Sequence, residues 1–364
     1  MSEQIISSIR KALSTVIDPD FKKDLVTLNM VKEIEVNDNH ITCTIELTTP
    51  ACPLKEQLES ESKAAIEKEI GADYTLEIIF TSKVTTLRDI KSEVLQGVKN
   101  IIVVASGKGG VGKSTISVNL ALTLAQSGAS VGIIDADIYG PSVPTMLGLK
   151  GKRPSLQKID DKHKIVPVTY NDIKVMSIGF LVEEKQAVVW RGAMVTSALR
   201  QFVTDVLWGD LDYLVIDLPP GTGDIHLTLA QLVPVTGAII VTTPQEVALA
   251  DARKALSMFM LEQINIPILG IVENMAYFIP PDMPDKRYAI FGEGGAQRLA
   301  EEYDTEVLGQ IPLEIPIRKG GDEGVPAVLW HENTAFATFQ TLSRNIARKI
   351  AINNASLQHK NTQS

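Results

Sequence analysis

Gly107, Gly112, Lys113 and Ser114 stand at the spacing G-x-x-x-x-G-K-[ST], a pattern whose chemistry is the wrapping of a phosphate chain. Glycine lets backbone pass close to an anion with no Cβ in the way. N–H groups freed at a helix start point at the anion, and the helix dipole favours its charge. The loop is Gly107-Lys108-Gly109-Gly110-Val111-Gly112-Lys113-Ser114-Thr115. Its backbone is the expected cradle, with Lys113 reaching the β- and γ-phosphates and the Ser114 hydroxyl binding Mg²⁺. Further along, Asp217 closes the apolar run Leu214-Val215-Ile216, where it would hold the same Mg²⁺ through water. Gly221 and Gly223 follow, in a loop able to carry N–H groups toward a γ-phosphate and away after hydrolysis. Asp224 fits either this loop or the N-cap of the next helix. Asp135 and Asp137 lie just past another apolar run, where a carboxylate can position a water or approach the metal; capping a turn is the alternative for one of them. Asn274, in Glu273-Asn274-Met275, is placed to read an adenine edge through its amide, or to cap a turn.

These groups need a scaffold that brings them to one edge. From residue 99, apolar segments expected as strands (101–105, 131–134, 173–178, 213–217, 238–242, 267–272 and 306–311) alternate with helical segments (about 114–127, 192–208, 224–232, 246–263 and 293–302). Such alternation predicts an α/β domain with a mostly parallel sheet and helices on both faces. Ligands then bind at the carboxyl ends of the strands. A small α+β domain precedes it. A helix with Ile5, Ile9, Leu13 and Ile17 in register ends at Asp18-Pro19-Asp20; strands follow at 31–36, 41–47 and 74–80, with a helix over about 54–70. The expected organisation is residues 1–83 as the small domain, 84–98 as linker, 99–352 as the P-loop domain and 353–364 as a flexible tail.

The 364 residues suit two domains. No apolar run approaches the length of a membrane helix, and Met-Ser-Glu-Gln-Ile-Ile lacks a signal peptide's basic and apolar regions. The net charge of −9 argues against nucleic acid and anionic membrane as main partners. Two cysteines cannot form a disulfide framework, so a reducing cytoplasm is expected. Phe336, Phe339, Ile346 and Ile350 predict a C-terminal core-packing helix rather than a basic membrane helix.

Lys108, second in the loop, makes Gly-Lys-Gly-Gly-Val-Gly-Lys-Ser-Thr, which resembles the deviant Walker A motif of the MinD, ParA and nitrogenase iron-protein group. The resemblance implies a homodimer with Lys108 reaching the partner's nucleotide; a plain surface lysine is the alternative. It also implies that Asp137 orients the attacking water. With Asp-Ala-Asp-Ile-Tyr-Gly-Pro-Ser, Asp-Leu-Pro-Pro-Gly-Thr-Gly-Asp, Glu-Asn-Met and Ile-Phe-Gly-Glu-Gly-Gly, the chain resembles the Mrp-type iron–sulfur cluster carrier ATPases. Trp190-Arg191-Gly192-Ala193-Met194-Val195-Thr196-Ser197 resembles a stretch near that family's dimer interface. Thr48-Thr49-Pro50-Ala51-Cys52-Pro53, after Asp-Pro-Asp, is similar to the small domain of cytosolic iron–sulfur assembly factors. The family implies slow ATP hydrolysis, a homodimer, and a labile cluster delivered to apoprotein clients.

The family usually has Cys-x-x-Cys shortly after Glu-Asn-Met, and two chains bridge a cluster with four thiolates. Pro280 and Met283 stand there. Cys43, in line with Ile41 and Ile45, is expected in the core. Cys52, near a helix N-terminus, is the candidate iron–sulfur ligand with a lowered thiol pKa, or a small residue packed in a tight turn. None of His40, His163, His226, His331 and His359 forms a pair with ligand spacing. Two other readings stay open: an ATP-switched client adaptor without a cluster of its own, and a MinD- or ParA-like positioning ATPase.

Overall fold

The structure is a computed structural model describing residues 2–88, 94–138, 140–181, 192–283, 285–330 and 334–361. It divides into two compact units, residues 88–346 and residues 1–87 together with 347–364.

The larger unit is built on an eight-stranded sheet. In spatial order its strands are Val168–Tyr170, Ile173–Ser177, Val131–Asp135, Leu211–Asp217, Val98–Ala105, Gly237–Thr242, Ile268–Phe278 and Val307–Leu313. Every neighbouring pair is parallel except the first. Ile101 to Val104 are four consecutive residues with no exposure. Successive strand side chains point to opposite faces, so both faces of this central strand are covered. That is why the run is continuously apolar instead of alternating. The parallel register brings strand ends together: Asp217 pairs with Val104 on one side and with Asp135 on the other, and Asp135 pairs in turn with Ser177. The helices Lys113–Gln126, Gly192–Thr204, Asp224–Leu232, Glu246–Phe259 and Gly295–Glu302 fill the crossovers.

Sequence patterning did not resolve the helix Ile315–Glu323, the short helix Val143–Met146 or the hairpin Ser155–Ile159/Lys162–Val166. Each is short, or exposed along most of its length, so its apolar period is weak. The strand expected over 267–272 continues to Phe278, because Tyr288 closes a bridge back onto Phe278.

In the smaller unit the helices Ser2–Leu13 and Lys55–Ile70 accompany a three-stranded sheet. Val31–Asn37 and His40–Leu47 are antiparallel, and Thr75–Ser82 pairs parallel to the second. Ile9, Leu13, Ile41, Ile45, Leu58 and Ile66 form the core around Cys43, which is fully buried as its position in the strand requires. The helix expected to end at Asp18-Pro19-Asp20 ends at Leu13, and Ile17–Asp18 pairs with Lys23–Asp24 as a small hairpin.

The C-terminal segment departs from the expected tail. The helix Thr334–Asn361 is continuous, Ala347, Ile350, Ala351 and Asn354 are buried, and Asn354 Nδ2 donates to the Thr85 carbonyl at 3.0 Å. The buried stripe recurs at helical spacing past Ile352, and its polar member is satisfied by backbone. Val84 and Leu95, at the two ends of the expected linker, are also buried; residues 89–93 lie outside the described part.

Candidate functional site

The phosphate loop leaves the strand Val98–Ala105 and enters the helix at Lys113. Gly112, the residue before the helix, has φ of 87°, and a Cβ there would sit 2.1 Å from Asn274 Nδ2. Glycine is therefore required twice, by conformation and by space. Asn274 is buried and donates from Nδ2 to the Val111 carbonyl at 2.8 Å. Its amide nitrogen braces the loop, which leaves Oδ1 for a ligand. Asn274, Met275, Thr115, Pro312, Leu313 and Arg318 line a cavity of about 560 Å³, within the range of small-molecule pockets and opening beside the loop. Its far wall comes from the helix Ile315–Glu323, which sequence reasoning missed. Glu273, also missed, is buried and positions the turn: its oxygens accept from Ala296 N at 2.8 Å and Gln310 Nε2 at 2.7 Å.

The reactive end is a buried charge cluster. Lys113 Nζ lies 2.9 Å from Asp217 Oδ1 and 3.7 Å from Asp137 Oδ2. Ser114 Oγ donates to Asp217 Oδ2 at 2.5 Å, and Ser117 Oγ donates to Asp217 Oδ1 at 2.7 Å. Ser117 lies three residues past Ser114 on one helix face, and that period was the signal that could have found it. Asp135 is fully buried and accepts from Ser177 Oγ at 2.9 Å, Asp137 N at 3.2 Å and Val143 N at 3.2 Å. Burial, with Asp217 beside it, pushes its carboxyl up to about 8. Asp135 is thus held from three donors as an internal brace beside Asp217. The structure brings Lys113, Ser114, Asp137 and Asp217 together. The Lys108 carbonyl accepts from Ser106 Oγ at 3.0 Å, while its side chain is half-exposed and outside this cluster.

The donor set fits a magnesium nucleotide. A serine hydroxyl and a carboxylate are hard oxygen ligands, and Lys113 is one ammonium between the Asp137 and Asp217 carboxylates. Gly109 and Gly110 leave open space over the loop.

The loop after Asp217 is tied to the same strand. Leu218 N donates to Val104 O at 3.1 Å, and Gly221 N donates to Ser106 O at 2.9 Å, with Gly221 at φ 94°. Gly223, not Asp224, occupies the cap position of the next helix. His226 is 1% exposed, with Nδ1 3.1 Å from the Gly223 carbonyl and its ring edge-on to Phe259. Burial holds its pKa below the usual imidazole value, against the raising pull of the Gly223 and Pro219 carbonyls. The unfolded chain therefore binds the His226 proton first as pH falls. This residue's contribution to stability is complete above about pH 6.5 and declines as pH drops through that value toward the depressed folded pKa. His226→Gln is expected to flatten that slope in thermal unfolding followed from pH 7.5 to 5.5; an unchanged slope would remove His226 as its source.

The cysteines behave differently from expectation. The helix after Cys52 starts at Lys55. Burial, with Asp18 and Asp20 adding to it, pushes the Cys52 thiol above its ordinary value despite a lowering bond from Leu54 N–H. A thiol lowered by a helix terminus is thus corrected: desolvation outweighs the dipole. Burial pushes Cys43 up to about 11. No group of three or more Cys, His, Asp or Glu suited to a metal occurs among the described residues, and the segment around Pro280 and Met283 supplies no thiolate. Of the stretch 190–197, Trp190 and Arg191 lie outside the described residues, as do Tyr139, Pro284, His331 and the side chains of Asp224 and His359.

A parallel sheet with this loop, this lysine and this acidic strand end defines a P-loop NTPase. Residues 97–351 match the family described as NUBPL iron-transfer P-loop NTPase, and residues 6–75 match the family described as iron-sulfur cluster assembly protein. An iron-sulfur cluster carrier protein of Synechocystis is 46% identical over 347 residues, covering 95% of this chain and 98% of its own. The Escherichia coli K12 protein of the same name is 44% identical, with 96% and 93% covered. Among solved structures, a nucleotide-binding protein of Archaeoglobus fulgidus in complex with ADP is 43% identical, with a TM-score of 0.58, covering 69% of this chain and 96% of its own. The chain belongs to the iron-transfer P-loop NTPase family, with an assembly-type domain at its N-terminal end. No helix among the described residues is long and apolar enough to cross a membrane.

Proposed function

We propose that the protein is a cytoplasmic, homodimeric ATPase that carries iron–sulfur clusters to apoprotein clients. The observation that carries the nucleotide half is the convergence of Lys113, Ser114 and Asp217 within 2.9 Å contacts at the strand ends. Bound Mg²⁺–ATP supplies the γ-phosphoryl group on which water acts. The loop 107–115 holds the phosphates through its N–H groups. Lys113 turns from its carboxylates to the β- and γ-oxygens, while Ser114 and Asp217 hold the cation. Asp137, at the mouth of the cluster, orients the attacking water. Asn274 and the cavity beside Thr115 take the base and ribose. Lys108, free of the cluster, reaches the nucleotide of a second copy. Hydrolysis releases the Pro219–Gly223 loop and changes affinity for cargo or client. The cluster is cargo, held through Cys52, with the remaining coordination supplied by the second chain, a small thiol or the client; such incomplete protein ligation suits release.

The enzymatic half is tested by phosphate release under ATP. Turnover is expected to be slow and to fall about a thousandfold or more in Lys108→Ala, the scale of a cation supplied in trans to a phosphoryl group. ATP is expected to shift parent chains toward dimer in light scattering. Unchanged turnover in Lys108→Ala, with monomers throughout, would defeat the dimer reading.

A further inference from the structure

The hairpin Ser155–Ile159/Lys162–Val166 contributes nothing to the nucleotide site. Its turn is Asp160-Asp161, with φ of 47° and 59°, the two-residue geometry that matches strand twist. The register is Ile159 with Lys162, Lys158 with His163, Gln157 with Lys164, Leu156 with Ile165, and Ser155 with Val166. In such a hairpin the pair flanking the turn is hydrogen-bonded, and bonded pairs then alternate. Ser155, Gln157 and Ile159 therefore direct their backbone groups to the partner strand. Leu156 and Lys158 direct their N–H and C=O groups outward, to an edge on which no strand pairs among the described residues.

That edge has a distinctive surface. All five of its residues are exposed, Leu156 at 66%. Residues 150–164 hold six lysines and arginines against Asp160 and Asp161, in a chain whose net charge is −9. Among the described residues Lys158 pairs with exposed Asp161 of the turn, and Lys164 is committed to Asp205. Lys152, Lys162 and His163 are exposed. Positive charge on a strand edge opposes pairing with a second copy of the same edge, and it attracts a strand of opposite sign.

We propose that the outer edge of Ser155–Ile159 docks an extended acidic segment of a partner polypeptide. The segment adds as a strand to the backbone of Leu156 and Lys158. It sets an apolar side chain against Leu156 and a carboxylate opposite Lys158 on one face, and on the other a carboxylate beside Ile159, from which the long side chain of Lys162 on the inner strand is reached. Nucleic acid and anionic lipid would use the charge but neither the open main chain nor Leu156. This surface stands independently of the nucleotide and cargo readings.

The test uses the full chain and a fluorescein-labelled peptide of repeated Glu-Glu-Val-Val, which presents both a carboxylate and an apolar side chain on each face of the added strand, followed by fluorescence anisotropy. A single-stranded DNA 20-mer and phosphatidylserine–phosphatidylcholine vesicles serve as comparison probes. The peptide is expected to bind more tightly than either. The double change Lys158→Glu and Lys162→Glu is expected to weaken it about tenfold. Leu156→Pro removes an outward N–H and no ladder bond, and is expected to weaken the peptide about tenfold with the melting temperature of the chain unchanged. Absence of peptide binding, tighter binding of DNA or vesicles, or indifference to Leu156→Pro in a chain that melts like the parent would each overturn the proposal.

Discussion

Lys113→Ala is expected to weaken ATP binding by about a hundredfold, because a charge-assisted contact to phosphate disappears. Lys113 is 6% exposed and lies 2.9 Å from fully buried Asp217. Without the ammonium, Asp217 keeps only the Ser114 and Ser117 hydroxyls, with the second buried carboxyl, Asp135, in the adjoining strand. The free chain is therefore expected to lose stability as well, by about 3 kcal/mol, the scale for breaking one side of a buried ion pair. Lys113→Arg separates the two effects: it keeps the charge, yet its planar fork does not fit where a compact ammonium turns between carboxylate and phosphate. It is expected to recover most of the melting temperature and little of the affinity. Titration calorimetry with ATP and Mg²⁺ on both variants reads this directly. Affinity within twofold of the parent in folded Lys113→Ala would sink the assignment.

Gly107→Ala is expected to be the most destabilising small change in the loop. A Cβ at Gly107 would lie 2.1 Å from both the carbonyl carbon and oxygen of Asp251 and 2.5 Å from Ala252 N. These are backbone atoms of the helix Glu246–Phe259, so no side chain can rotate away. Relief requires moving the loop or the helix, at a cost of about 3 kcal/mol, or roughly 6–12 °C in melting temperature for a unit of this size. Gly109→Ala is the internal comparison: its nearest neighbour would be Pro220 Cγ at 3.9 Å, so its melting temperature is expected to match the parent. Equal melting of the two variants would contradict the close packing at Gly107.

The two cases mark what a sequence makes legible. The glycine spacing, Lys113, Ser114 and the apolar strand ending in Asp217 are local, and each is a short run with one physical reading. Their convergence followed from strand–helix alternation, because parallel strands put their ends on one edge. The pairing of Asn274 with the Val111 carbonyl joins residues distant in the chain, and nothing in either segment announces it. The cavity wall from Ile315–Glu323 was missed because that helix opens Ile-Pro-Ile and holds two glycines, which weakens any helical period. Cys52 misled for a different reason: position near a helix start suggests a lowered thiol, but burial depends on packing that the segment itself does not encode. The tail was misread because Asn354 looks solvent-bound in the sequence, whereas its amide meets the Thr85 carbonyl.

The cargo reading is the central claim, and iron with acid-labile sulfide per chain after anaerobic reconstitution tests it most directly. The measurement is made with the absorbance spectrum on the parent and on Cys52→Ala. Because burial holds the Cys52 thiol protonated and a metal displaces that proton, loading of the parent is expected to improve as pH rises. The account predicts iron and sulfide in the parent with a cluster absorbance band, and neither in Cys52→Ala. Equal loading of both would contradict Cys52 as ligand. Loading of neither would contradict the carrier itself and leave an ATP-switched adaptor, the reading that Pro280 and Met283 in place of thiolates would then favour.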